Sequence, residues 1–131
     1  MIEGPGRGRD ATVFDLVGGQ AWFDQLVEWF YEGAETDAIL RPMYPDDLAD
    51  PKRHLALFLA QYWGGPSTYH EERGHPRLGM RHARFAVDAA AAEAWLTHMK
   101  AALAKMDPPA EIAAAMVNHF EGAAHFLINT G

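Results

Sequence analysis

Apolar residues recur at three- and four-residue spacing along most of the chain, and no segment alternates convincingly with period two. From Gln20 to about Glu35, residues Trp22, Phe23, Leu26, Val27, Phe30 and Ala34 share one helical face, while Asp24, Gln25, Glu28 and Glu32 fill the other. Tyr31 sits beside that stripe. A shorter helix, Asp10 to Val17, precedes it and stops at Gly18-Gly19. In "DAILRPMYPDDL", Pro42 and Pro45 leave room for a turn or two of helix ahead of Pro42 and hold Tyr44 in the bend. Asp50 as a cap and Pro51 as the first helical residue announce the next helix, whose face is Leu55, Phe58, Leu59 and Tyr62 and whose end is Gly64-Gly65-Pro66. Asp88 can cap an alanine-rich helix carrying Trp95, Met99, Leu103 and Met106, which Asp107-Pro108-Pro109 breaks. A last helix, about Ala110 to Leu127, turns Ile112, Met116, Phe120, Ala123 and Leu127 inward. The pattern predicts an all-α domain.

Composition narrows what such a domain can do. At 131 residues the chain suits one hydrophobic core, expected over residues 11–131, with the Gly-rich residues 1–10 as a flexible arm. A net charge of −7 argues against nucleic acid, whose nonspecific affinity comes from cations neutralising phosphates. With no cysteine, thiolate metal sites, iron–sulfur clusters, disulfides and cysteine nucleophiles are excluded. The opening "MIEGPGRGRDATVF" has no apolar core of a signal peptide, and no apolar run approaches the roughly 20 residues of a membrane span. The expectation is a cytoplasmic protein with no membrane partner.

One connection stands apart from the helical pattern. "QYWGGPSTYHEERGHPRLGMRH", Gln61 to His82, collects three histidines, three aromatics and several cations with little periodicity. Its "HEERGH" is not a zinc-protease signature, because His70 and His75 are five residues apart, about 140° round a helix, where that motif needs positions i and i+4. Glu71, Glu72 and Arg73 then read as solvated loop charges. His82 closes a short cationic turn directly ahead of Phe85 and Val87. One imidazole offered to a cavity, with arginines beside it, is what a proximal haem ligand requires; a capping histidine on a surface turn is the other reading.

Further motifs occur in order over nearly all the chain after the arm: "FDLVGG" (14–19), "FYEGAETDAILRPMYPDDL" (30–48), "LFLAQYWGGPSTYHEERGHPRLGMRH" (57–82), "AWLTHM" (94–99) and "AAHFLIN" (123–129). On these the chain resembles the group II truncated haemoglobins. The resemblance implies a two-over-two helical sandwich around haem b, with the irregular stretch extended along the haem edge and His82 as the proximal iron ligand. It implies that Tyr31, Tyr44 and Trp95 face bound ligand as distal polar residues. Leu48, Leu55, Phe58, Leu78, Phe85 and Met99 become apolar haem contacts. Tyr69, His75, Arg77 and Arg81 lie on the propionate side, Arg81 foremost among them. Three positions depart from the common pattern. Pro51 falls where many globins hold a distal histidine, Arg84 replaces a proline after the proximal histidine, and His54 stands at a haem-edge place that is often arginine.

The function this implies is binding of dioxygen, carbon monoxide, nitric oxide and cyanide. A hydrogen bond donated to the partial negative charge of bound dioxygen is worth about 1.5–3 kcal/mol, so a donor cluster predicts slow release. The alternative is an enzyme performing nitric oxide dioxygenation or peroxidase-like chemistry, which needs a reductase as electron donor because the chain has no flavin domain. A homodimer is compatible with the resemblance. A helical interaction module without cofactor is the reading that uses none of these residues.

Overall fold

The computed structural model describes residues 3–4, 6–8, 11–74 and 88–126. In the arm, strand β1 (Glu3–Gly4) pairs antiparallel with β2 (Gly6–Gly8). Every other element is helical: α1 (Val13–Val17), α2 (Gln20–Ala34), a 3-10 turn (Arg41–Met43), α3 (Ala49–Tyr62), α4 (Thr68–Arg73), α5 (Ala89–Met106) and α6 (Ala110–Phe126).

Helix α2 packs on both α3 and α5, and α5 packs on α6, so two helix pairs lie one over the other. The core fills the space between them. Phe23, Leu26, Val27, Phe30 and Ala34 of α2 meet Ala56, Leu59 and Ala60 of α3, and Met99, Ala102 and Leu103 of α5 meet Met116 and Phe120 of α6. The small residues of α3 and α5 let the helix backbones approach, while Phe23 and Phe30 of α2, with Phe120 of α6, are the largest fully buried side chains. This is the all-α domain that the periodicity predicts, in the two-over-two arrangement that the resemblance implies.

Several boundaries differ from expectation for identifiable reasons. Helix α1 starts at Thr12 rather than Asp10, because Thr12 and Asp15 form a reciprocal capping box. Helix α3 starts two residues before Pro51, with Leu48 at the cap and the Asp47 carboxylate accepting the Ala49 N–H at 2.9 Å. Pro51 still lies in the first turn, where its missing N–H breaks no helical bond. Pro42 does not end a helix but sits inside the 3-10 turn.

Two buried faces are also rotated. On α3 the fully buried residues are Ala56, Leu57, Leu59 and Ala60, whereas Leu55 and Phe58 are half-buried and Tyr62 is exposed. On α6 it is Ala124, not Ala123, that joins Ile112, Met116 and Phe120 in the core, and Leu127 lies outside the described residues.

The turn after α3 shows why two glycines stand there. Gly64 adopts φ 102°, and a Cβ on Gly65 would sit 2.5 Å from the Phe14 ring and 2.8 Å from the Ala60 carbonyl oxygen. The turn thereby tucks under α1, whose Phe14 N–H donates to the Trp63 carbonyl at 2.9 Å. The segment beyond it is not extended throughout, since residues 68–73 form α4. At the start of α5 the Asp88 carboxylate accepts the Ala91 N–H at 2.8 Å, as the sequence predicts.

Candidate functional site

Tyr31 projects from the inner face of α2 and is 3% exposed. Its ring meets Phe30 edge-on at 5.0 Å and Tyr44 edge-on at 5.3 Å. Tyr44 is delivered from the other side by the 3-10 turn, whose last N–H bond runs from Tyr44 to the Arg41 carbonyl at 3.2 Å. The Arg41 guanidinium then donates to the carbonyls of Tyr44 (3.3 Å), Pro45 (3.0 Å) and Asp46 (3.1 Å), satisfying backbone groups that the two prolines leave without helical partners.

Burial pushes the Tyr44 phenol up to about 12 and the Tyr31 phenol higher still, so neither ionises near neutral pH and both remain hydrogen-bond donors. A side-chain hydrogen bond couples the two phenols, and two hydroxyls that share one bond keep one proton for a further partner.

Trp95 is half-buried on α5, 5.9 Å from Phe30 and 5.9 Å from Phe120. It reaches the tyrosine pair through Phe30. Met99, one turn further along the same helix, is fully buried behind it. Leu48 at the cap of α3 and Leu55 and Phe58 along it are half-buried and pack against the same core cluster as the two tyrosines.

A second group gathers where α3 meets α4. Tyr69 is buried, its ring 5.5 Å from Phe58 and 6.0 Å from the Arg73 guanidinium. Arg73 Nη1 lies 3.3 Å from His54 Nε2. Burial first, and the Arg73 charge second, hold the His54 imidazole below its ordinary pKa, which suits a neutral ring accepting from the guanidinium. Glu72 pairs with Arg53, and Glu71 accepts from the Ser67 hydroxyl at 3.2 Å. The charges after His70 therefore stitch α4 onto α3 rather than pointing idly into solvent. His75, Arg77, Leu78, Arg81, His82 and Phe85 lie outside the described residues, as does Arg84.

Two side chains that the sequence did not single out, Asp37 and His98, meet at 2.8 Å across 61 residues of chain. A readable trace was Asp37 itself, placed two and three residues before the N–H groups it caps at Ile39 and Leu40.

Half-buried apolar side chains and two protonated phenols on one core cluster suit a flat, largely apolar prosthetic group that presents a polar ligand. Among the described residues no cluster of three or more His, Cys, Asp or Glu could hold a bare metal ion. With the stacked helix pairs, these features define a shortened globin. The chain belongs to the bacterial-like globin family, whose model matches residues 12–128, and within it to the group II truncated haemoglobins.

Group 2 truncated hemoglobin YjbI of Bacillus subtilis is 38% identical over 111 residues, which are 85% of this chain and 84% of that protein. The hemoglobin of Chloroflexus aurantiacus superposes with a TM-score of 0.90 at 45% identity, covering 92% of this chain and 99% of that one. A truncated oxygen-avid haemoglobin from Bacillus subtilis superposes with a TM-score of 0.86 at 35% identity, covering 91% of this chain and 100% of that one.

Proposed function

We propose that this protein binds haem b and holds a diatomic ligand against Tyr44, releasing it slowly. Haem, when bound, supplies an iron that takes the ligand and leaves partial negative charge on its outer atom. The observation that carries the reading is the tyrosine pair: two phenols that burial keeps protonated meet edge-on at 5.3 Å, and their mutual hydrogen bond leaves one proton for a ligand. Such a preoriented donor loses little freedom when the ligand arrives, and a bond to a charged acceptor contributes about 1.5–3 kcal/mol.

Trp95, one ring away, is the second donor to the same place. Leu48, Leu55 and Phe58, with Met99 behind, keep water from the ligand side, which strengthens each polar contact made there. By the family resemblance His82 would hold the iron, with Leu78 and Phe85 as apolar contacts and His75, Arg77 and Arg81 as partners of the propionates. At the near edge Tyr69 and His54 hold the Arg73 side chain in place. Dioxygen, carbon monoxide, nitric oxide and cyanide are the ligands this arrangement accepts, and the cytoplasm is its setting. No described helix is long and apolar enough to cross a membrane. The Bacillus subtilis relative described as oxygen-avid supports the slow-release reading.

The test is the visible spectrum of purified protein, ferric, reduced and carbon monoxide-treated, for wild type and His82→Ala. A Soret band that converts on carbon monoxide treatment and changes ligation in the variant is the expected result. Protein that stays colourless after haem supplementation contradicts it.

A further inference from the structure

The loop that carries Tyr44 and the helix that carries Trp95 are joined by one half-buried contact. His98 Nε2 lies 2.8 Å from Asp37 Oδ2, with the two side chains only 25% and 20% exposed. The other carboxylate oxygen accepts the N–H groups of Ile39 at 2.8 Å and Leu40 at 3.1 Å, and the Asp37 carbonyl accepts that of Arg41 at 2.9 Å. Asp37 is therefore the hub of the turn that places Leu40 in the core and leads into the 3-10 turn ending at Tyr44.

His98 is equally constrained. It stands three residues after Trp95 and next to the fully buried Met99, on a helix that cannot rotate without displacing both. On its far side it presses on α2, where a Cβ at Gly33 would fall 2.4 Å from His98 Nδ1 and only hydrogen leaves room for the ring. One imidazole thus touches α2 two residues after Tyr31, belongs to the helix of Trp95, and holds the carboxylate that organises the approach to Tyr44.

We infer that Asp37 and His98 are positioning residues that set where the Tyr44 hydroxyl sits relative to Tyr31 and Trp95, and so tune ligand retention without touching the ligand. This rests on the distal role of Tyr44 proposed above. The physical reason is the short range of O–H···O bonds, about 2.5–3.0 Å between heavy atoms, so that a drift of about 1 Å in the Tyr44 segment forfeits the bond it donates. Arg41 fixes the carbonyls after Tyr44, and the Asp37–His98 contact fixes the turn before it. Together they leave the residue little slack.

The test uses haem-loaded protein, with loading verified by its Soret band, and reads the carbon monoxide stretching frequency and the dioxygen dissociation rate. His98→Leu is expected to move the stretch in the same direction as Tyr44→Phe and to speed dissociation about tenfold, the loss of one modest hydrogen bond. His98→Gln, whose amide can still donate to Asp37, should restore most of both. In a Tyr44→Phe background, His98→Leu should add less than about twofold, since residues acting through one group are not additive.

If Tyr44→Phe changes both readouts and His98→Leu changes neither, the inference is overturned and the distal reading stands. If Tyr44→Phe itself changes neither, both fall. Should His98→Leu not retain haem, Gly33→Ala replaces it: the added methyl displaces the imidazole from Asp37 and must give the same direction of shift, and an unshifted stretch there also overturns the inference.

Discussion

Replacing Tyr44 with phenylalanine should destabilise the protein more than replacing Tyr31, although Tyr31 is the more deeply buried of the two. The difference lies in which hydroxyl is left behind. A side-chain hydrogen bond couples the two phenols. In Tyr44→Phe the Tyr31 hydroxyl stays in place, 3% exposed at the residue level, with its partner gone. A buried hydroxyl left unpaired costs about 1–3 kcal/mol. In Tyr31→Phe the hydroxyl left behind is that of Tyr44, which is half-buried, so its oxygen is closer to solvent. The net loss is then that of an ordinary hydrogen bond, about 0.5–1.5 kcal/mol. The double variant removes both polar groups and keeps both rings, whose edge-on packing at 5.3 Å survives, and should recover to within about 1 kcal/mol of wild type. The assay is urea denaturation of the ferric haem protein without added ligand, with equal haem occupancy in all four forms. Equal costs for the two single variants, or a double variant as unstable as their sum, would refute the coupling of the two hydroxyls and the burial difference between them.

Three other outcomes follow from the same structure. Asp88→Ala should cost about 0.5–2 kcal/mol by removing the carboxylate that caps α5, and Asp88→Asn should recover most of it in the same denaturation assay. Gly65→Ala should cost about 1–3 kcal/mol, because the new methyl meets the Phe14 ring and the Ala60 carbonyl, whereas Gly122→Ala, with open space around it, should not destabilise. His119 packs on Tyr62 with ring centroids 4.0 Å apart, and burial lowers its pKa. The unfolded chain therefore binds that proton more readily, and this contribution to stability is present above pH 6.5 and lost as pH falls from there through the lower folded value. Thermal melts of His119→Phe should show a shallower loss of stability below pH 6.5 than wild type.

Helix identity was legible wherever burial followed a single stripe. The face of α2 agrees with its periodicity at Phe23, Leu26, Val27, Phe30 and Ala34, because one side meets α3 and α5 together, while Trp22 at its edge is half-buried and Tyr31 joins the buried set. On α3 the reading slipped by part of a turn. Large side chains at Leu55, Phe58 and Tyr62 outweigh Ala56 and Ala60 in any hydrophobic count, yet it is the small residues that meet α2, since only they allow the close approach of backbones. The start of α1, read as Asp10, falls after Thr12, whose capping box with Asp15 fixes it. Tyr31 and Tyr44 were named from family resemblance, and their separation by a proline-bearing turn concealed the ring contact. Asp37 and His98 could not be paired from the sequence at all, because nothing periodic links positions 61 residues apart.

The half-buried strip on α3 and the close α2–α3 contact are two consequences of one residue choice. Alanines at 56 and 60 bring α3 onto α2, and that rotation turns Leu55 and Phe58 partly out of the core. A helix optimised for its own burial would have directed Phe58 inward and left no apolar surface beside the phenols. Here Phe58 instead meets Tyr69, which Arg73 covers and His54 braces, so the exposed side of the strip is bounded by polar groups. The same division recurs across the molecule: Met99 and Leu103 hold α5 in place while Trp95 on that helix remains half-buried. Residues that secure the fold and residues that border the site thus alternate on the same helices. Swapping sizes on α3, with Ala56→Leu and Leu55→Ala together, should therefore disturb the α2 contact and weaken haem retention at once. Intact haem retention in a protein whose core has loosened would separate the two roles and show that the strip does not depend on the close approach of α3.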